Sequence, residues 1–122
     1  WKNAKSLDTA PNLQSMTWWP GYPTPNDWLI GLFKTEKSAV FNLSHYSNSK
    51  VDALVEKGVN LEVTDRKGAI KAYQQAQKLI VEDVPGIFYA DILTRIVKRS
   101  SVKGYTNNPA YNYQSLYPLY RE

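Results

Sequence analysis

The chain has 122 residues, the size of one ordinary domain, and no apolar run approaches the roughly 18 residues that a membrane span requires. Its 15 basic and 11 acidic residues give a net charge of +4, and the absence of cysteine excludes disulfides and a cysteine nucleophile. A single histidine offers no basis for a histidine metal centre or a Ser-His-Asp triad. The composition therefore predicts no metal, no cofactor and no catalytic residue. The chain is mildly basic but has no arginine-rich arm, so we expect no nucleic-acid partner.

The first apolar segment, Leu13 to Trp19, has the composition of a β-strand that ends in aromatic residues. Pro20 ends the strand because proline cannot donate to a ladder. Gly21 then permits positive φ, and Pro23 stiffens the exit from the bend. Two tryptophans beside such a bend predict the rigid, aromatic wall of a pocket.

A short helix is predicted directly after this bend. Thr24 is a candidate N-cap, Pro25 suits the first helical position, and Asp27 stands three residues after the cap. We expect Trp28 on the apolar face of this helix, which should fade at Lys34. The loop after it carries the single histidine, which we expect to have a structural role.

Two further helices are predicted between residues 49 and 83. Ser49 is expected to cap the second helix and Gly58 to end it. The third is expected over Asp65 to Asp83, with Thr64 as its cap and Pro85 as its stop. Its apolar residues recur at spacings of three and four: Ala69, Ile70, Ala72, Tyr73, Ala76, Leu79 and Ile80.

The remainder of the chain is predicted to contain strands and a tyrosine-rich tail. Residues 87–89 and 92–98 are rich in strand formers, around a break at Asp91. A turn-rich loop begins at Gly104, and the tail after it contains Tyr111, Tyr113, Tyr117 and Tyr120. The order of strand, helices, strands and tail predicts an α/β or α+β fold.

Several segments in this order resemble the C-terminal segment of the family 5 extracellular solute-binding proteins, the peptide- and oligosaccharide-capturing subunits of bacterial ABC importers. The resemblance extends over residues 18–105. It is carried by Trp18-Trp-Pro-Gly-Tyr-Pro-Thr-Pro25, Trp28-Leu-Ile-Gly-Leu-Phe33, Phe41-Asn-Leu-Ser-His-Tyr-Ser-Asn-Ser-Lys-Val-Asp52, Tyr73-Gln-Gln-Ala-Gln-Lys-Leu-Ile80, Glu82-Asp-Val-Pro85 and Val102-Lys-Gly-Tyr105.

The resemblance implies a two-lobed periplasmic-binding-protein-like fold that closes on its ligand without catalysis. Residues 1–104 would form part of the second, C-terminal lobe, with helices packed on a small mixed sheet. Residues 105–122 would be a tail that crosses back toward the first lobe. The N-terminal lobe is expected to be absent, which makes the chain a fragment that self-associates through its exposed lobe contact.

The resemblance also implies a binding site at the aromatic strand. Peptide-binding members carry a Trp-x-x-Asp-Tyr pattern there, whose Asp pairs with the α-amino group of the peptide. On this chain the pattern gives Trp18, Trp19, Gly21 and Tyr22 as ligand-binding residues, with Gly21 in place of the carboxylate. Because an unpaired buried ammonium is costly, this substitution favours an oligosaccharide over an oligopeptide. Without the resemblance, tryptophans in a strand are more often core residues.

The family implies a membrane permease as partner and a periplasmic or extracellular location, with a lipid anchor on the absent N-terminal part. A free-standing carbohydrate-binding module is the alternative, because the aromatic content of the chain also permits it. An enzyme is the third hypothesis, and no nucleophile-base pair or pair of carboxylates stands at a spacing that favours it.

Overall fold

The computed structural model describes Ser6 and residues 8–91, 93, 95–107 and 116–122. This part contains three helices and one two-stranded antiparallel ladder: α1 (Pro25–Phe33), α2 (Ser49–Leu61), α3 (Arg66–Asp83), β1 (Val102–Lys103) and β2 (Tyr120–Arg121). None of the described helices combines the length and apolarity needed to cross a membrane.

The core lies where α2 and α3 pack against each other, with α1 across them. It consists of Leu29 from α1, Val51 and Val55 from α2, and Ala69, Tyr73, Ala76 and Ile80 from α3. The short connection of residues 62–65 makes α2 and α3 adjacent. The small alanines on α3 let the two helices approach closely. This confirms the predicted apolar face of α3, except that Ile70 is 43% exposed.

The N-caps of α2 and α3 each differ from the predicted cap by one residue. Asn48, not Ser49, caps α2, and its side-chain oxygen accepts from the backbone N–H of Lys50 at 3.0 Å. Asp65, not Thr64, caps α3 and accepts from the backbone N–H of Gly68 at 3.0 Å. In both cases an Asn or Asp oxygen caps the helix in preference to a neighbouring hydroxyl. Asn48 and Ser49 are N-caps of similar strength, whereas Asp65 is a stronger N-cap than Thr64.

Two further expectations about the helices are wrong. Gly58 does not end α2, which continues to Leu61. Instead Gly58 is buried inside the helix, because the ring of Tyr73 occupies the space where a Cβ would lie. Trp28 is not a core residue of α1, since 41% of it is exposed.

The strands expected at residues 13–19 and 87–89 are not formed. Both segments are described, and neither takes part in a ladder. A strand needs a neighbour that exchanges backbone hydrogen bonds, and the described residues supply none for them. The two segments touch through their side chains, where the hydroxyls of Ser15 and Tyr89 are 2.9 Å apart. In the expected strand 92–98, the described residues 93 and 95–98 are also outside any ladder, and residues 92 and 94 are outside the described part.

The tail ends beside β1. Val102 pairs with Arg121 and Lys103 with Tyr120, and the Lys103 ammonium lies 3.4 Å from the Glu122 carboxylate. The mixed sheet expected beneath the helices is not found among the described residues. The predicted tail residues Tyr111 and Tyr113 lie outside the described residues, and the assignment of 1–104 and 105–122 to a lobe and a crossing tail stays a prediction.

Candidate functional site

We call residues 18–22 the aromatic bend; it contains all the predicted ligand-binding residues. Asp27, in the first turn of α1, holds the bend in place. Its Oδ2 accepts a hydrogen bond from the indole N–H of Trp18 and another from the backbone N–H of Gly21, both at 3.1 Å. One carboxylate oxygen therefore fixes both ends of the turn between Trp18 and Gly21.

Thr24 occupies the N-cap position of α1, as predicted, but it makes no side-chain cap bond. Its hydroxyl is buried and has no hydrogen-bond partner among the described residues. Asp27 does not complete a capping box either, because its Oδ2 accepts hydrogen bonds from the bend.

Trp18 is half-buried and forms the inner wall of the bend. Its ring meets the ring of Phe41 edge to face, with centroids 5.0 Å apart. It also lies against Gly31 of α1, where an added Cβ would come within 2.9 Å of the indole. With its N–H bound to Asp27, the Trp18 indole has its polar atom satisfied within the protein.

Trp19 is also half-buried, but its indole N–H is buried without a hydrogen-bond partner in the described part of the chain. A buried donor without an acceptor costs about 1–3 kcal/mol. Trp19 is therefore the residue of the bend whose polar group lacks a partner among the described residues.

Gly21 and Tyr22 form the exposed edge of the bend. A Cβ built on Gly21 would have one neighbour within 4 Å, the Oδ1 of Asp27 at 3.5 Å, so the space above Gly21 is open. Tyr22 is 46% exposed. Partial burial raises the pKa of Tyr22, and the negative charges of Asp27 and Glu62 raise it further.

A second carboxylate, Glu62, lies behind Tyr22 and was not predicted from the sequence. Its two oxygens accept from the Tyr73 hydroxyl at 2.7 Å and from the Asn26 amide at 2.8 Å. Burial and the hydrogen bond to Glu62 raise the pKa of Tyr73 far above its usual value. Asn26 is 7% exposed, and its Oδ1 has no hydrogen-bond partner among the described residues.

One signal in the sequence pointed to this cluster. Tyr73 falls on the apolar face of α3, and a buried tyrosine needs a partner for its hydroxyl. The partner could not be found from the sequence, because Glu62 lies 11 residues away, beyond the turn between two helices.

An open depression lies at the N-terminus of α1. It has a volume of about 440 Å³ and is lined by Pro23, Thr24, Pro25, Trp28 and Gln77. The exposed face of Trp28 forms part of its wall. The depression is therefore a second surface with aromatic and polar groups close to the bend.

The loop after α1 is stabilised by hydrogen bonds from a buried side chain, Asn42. Asn42 is 1% exposed, and its amide donates to the carbonyl oxygens of Lys34 and Tyr46 at 3.0 and 2.8 Å. The Asn42 side chain therefore fixes the loop. His45 has a positive φ of 53° in this loop.

Among the described residues, no group of three His, Asp or Glu side chains could hold a metal ion.

Comparison with known proteins finds partial similarity to two binding proteins. The chain is 30% identical over 93 residues to the probable D,D-dipeptide-binding periplasmic protein DdpA of Escherichia coli strain K12, covering 75% of this chain. It is 28% identical over 93 residues to heme-binding protein A of Haemophilus influenzae, covering 76% of this chain. The chain spans less than a fifth of both relatives, 18% and 16% of their lengths. No family model and no solved structure matches the chain.

Proposed function

We propose that the chain is part of the extracytoplasmic substrate-binding component of an ABC importer, similar to the C-terminal segment of the family 5 solute-binding proteins. In this role it captures an oligopeptide or oligosaccharide by non-covalent contacts and delivers it to a membrane permease. The similarity to two relatives named as binding proteins, one of them periplasmic, supports this role and a periplasmic location.

The observation that carries the proposal is the aromatic bend itself. It combines the exposed ring of Tyr22 and the open space at Gly21 with the buried indole N–H of Trp19, which has no partner among the described residues, on one short, internally fixed segment. Small-molecule sites are usually lined by fixed aromatic faces and a few polar groups. A second lobe that closes over the bend would complete the site by hinge motion.

The relatives favour a peptide ligand over an oligosaccharide. The name of the Escherichia coli relative specifies a D,D-dipeptide and that of the Haemophilus influenzae relative specifies heme. We therefore place dipeptides first among candidate ligands, which reverses the preference derived from Gly21 alone.

The test is calorimetric titration of the protein, as its gene encodes it, with D-alanyl-D-alanine, hemin and maltotriose. Saturable binding of one of these solutes supports solute capture. Absence of binding by all three, in protein freed of endogenous ligand, would contradict it.

One observation favours a second function, a free-standing carbohydrate-binding module. Trp28 is 41% exposed beside Gln77 in the open depression, and a flat aromatic face next to an amide suits a sugar ring. Binding of maltotriose by the 122 residues alone, lost in Trp28→Ala, would favour the module. A requirement for a longer chain favours the importer component.

A further inference from the structure

The net charge of the chain is concentrated in the segment that contains the β1–β2 ladder. Residues 95–122 include five basic residues and one acidic residue, so this segment carries the whole net charge of +4. Residues 1–94 are neutral overall, although they contain most of the charged side chains. Because charge is balanced over most of the chain and unbalanced here, this segment is the part suited to a negatively charged partner.

Four of these basic residues lie at the ladder, and we call them the basic surface: Lys98, Arg99, Lys103 and Arg121. The Nζ of Lys98 donates a hydrogen bond to the carbonyl oxygen of Val102 at 2.7 Å, which holds its charge beside β1. The Val102 N–H donates to the carbonyl oxygen of Arg99 at 2.9 Å, so a turn brings Arg99 next to the ladder. Arg121 pairs with Val102 from β2. The fold therefore gathers charges from two separate stretches of the chain.

Little negative charge opposes the basic surface. Glu122 is the one acidic residue in the segment 95–122, and its carboxylate lies 3.4 Å from the Lys103 ammonium. Arg99 and Arg121 are exposed, and their side chains make no hydrogen bond or ion pair among the described residues. These two guanidinium groups can therefore meet an anion from outside without first breaking a contact in the described part of the chain.

Exposed aromatic and aliphatic side chains accompany the basic surface. Leu116 is 69% exposed, Tyr117 is 99% exposed and Tyr120 is 60% exposed. Tyr120 pairs with Lys103 in the ladder, and the two other residues lie in the turn that leads into β2. Basic residues beside exposed apolar side chains are typical of proteins that lie on a membrane interface, where tyrosine prefers the level of the headgroups.

We propose that the basic surface binds the anionic headgroups of a phospholipid membrane, with Tyr117 and Tyr120 at the level of the headgroups. Guanidinium and ammonium groups bind phosphate oxygens through charged hydrogen bonds. Nucleic acids and acidic proteins also carry negative charge, but a membrane adds an apolar layer that suits the aliphatic side chain of Leu116. The inference goes beyond the proposed function, since it concerns the surface on which the protein lies and not the solute that it captures.

The experiment measures co-sedimentation of the protein, as its gene encodes it, with two kinds of vesicle. One kind is phosphatidylcholine alone, and the other contains about 30% phosphatidylglycerol, which is anionic. We expect binding to the anionic vesicles to be roughly 100-fold stronger, and to weaken roughly tenfold when NaCl is raised from about 0.1 to about 0.5 M. A purely hydrophobic attachment would act on both kinds of vesicle alike, so the ratio of the two affinities reports the effect of headgroup charge.

The double variant Arg99→Gln/Arg121→Gln assigns the effect to the basic surface. It should weaken binding to the anionic vesicles about 25-fold, or roughly fivefold for each charge removed, and leave binding to the neutral vesicles unchanged. Arg66→Gln/Lys71→Gln is the matched control. It removes two charges from exposed positions on α3, which does not contact the ladder, and should change binding by less than about twofold. Tyr117→Ser should weaken binding to the anionic vesicles roughly threefold.

Three outcomes would overturn the membrane surface. The first is equal binding of the wild-type protein to neutral and anionic vesicles. The second is an equal loss in the arginine double variant and its control, because total charge would then decide binding. The third is binding to poly-L-glutamate or single-stranded DNA as tight as to the anionic vesicles, since such a surface needs no lipid. Unchanged binding in Tyr117→Ser would overturn the placement of that side chain at the headgroups.

The outcomes are independent of the solute titrations. A protein that binds anionic vesicles but none of the solutes keeps this inference and loses the proposed function. A protein that binds a solute but does not distinguish the two kinds of vesicle has the opposite meaning.

Discussion

Gly58→Ala tests the packing that brings Glu62 and α1 together. Gly58 lies inside α2, where alanine is favoured over glycine by about 1 kcal/mol of helix propensity. Helix propensity alone therefore predicts a more stable protein. In the structure, the added Cβ would collide with the ring of Tyr73, which is 3% exposed and has no room to move outward.

The magnitude follows from what Tyr73 would lose. Overpacking of a core by one carbon typically costs about 1–3 kcal/mol. Displacement of the ring also weakens the 2.7 Å hydrogen bond from its hydroxyl to Glu62, a bond to a charged group worth about 1.5–3 kcal/mol. After subtraction of the helix-propensity gain, we expect Gly58→Ala to lower the free energy of unfolding by about 2–4 kcal/mol.

The assay is urea denaturation of the 122-residue chain, followed by circular dichroism. Gly86→Ala is the control, because a Cβ at Gly86 meets no atom of the described residues within 4 Å. This control should change stability little or raise it by about 0.4–1 kcal/mol, through the lower entropy of the unfolded chain. A Gly58→Ala chain as stable as the wild type would refute the packing of Tyr73 against α2.

Two further predictions concern pH and association. The Tyr46 hydroxyl donates to Asp83 at 2.5 Å, and burial together with this bond raises the pKa of Tyr46 from 10.0 to about 12. Because the folded state holds the proton more tightly, the stability from Tyr46 is complete below pH 10.0 and is lost as the pH rises toward about 12. Urea midpoints of the wild type and Tyr46→Phe should therefore converge across this range, and a constant difference would contradict the assignment. Separately, Ile87, Phe88, Tyr89, Leu93 and Val97 are each at least 65% exposed, so light scattering should show concentration-dependent self-association that Val97→Lys reduces. A single monomeric species at all concentrations would count against it.

The helices were predictable because their signals are local. The spacing of apolar residues on α3 depends only on the helical period, so its buried face could be derived from residue order. Caps were less certain, because Asn48 and Ser49 are adjacent and both suit an N-cap. A one-residue error at a helix start is the natural limit of such reasoning.

Contacts between distant residues could not be derived. The exposed face of Trp28 depends on where α3 crosses α1, and no local pattern specifies that crossing. The strand predicted from the composition of residues 13–19 is wrong, because a ladder requires a partner that lies elsewhere in sequence. The aromatic bend also combines a local feature with a distant contact. The sequence indicated the role of Gly21 in the bend, but only the structure shows that the Asp27 carboxylate binds the Gly21 N–H.

The most direct test of solute binding at the aromatic bend compares Trp19→Phe with Trp28→Phe in titrations of the protein, as its gene encodes it, with D-alanyl-D-alanine. Both substitutions keep an aromatic ring and remove an indole N–H. If the indole N–H of Trp19, which has no partner among the described residues, meets the ligand, Trp19→Phe should weaken binding roughly tenfold and Trp28→Phe by less than about twofold. A larger loss in Trp28→Phe, or unchanged affinity in Trp19→Phe, would contradict the placement of the ligand at the bend.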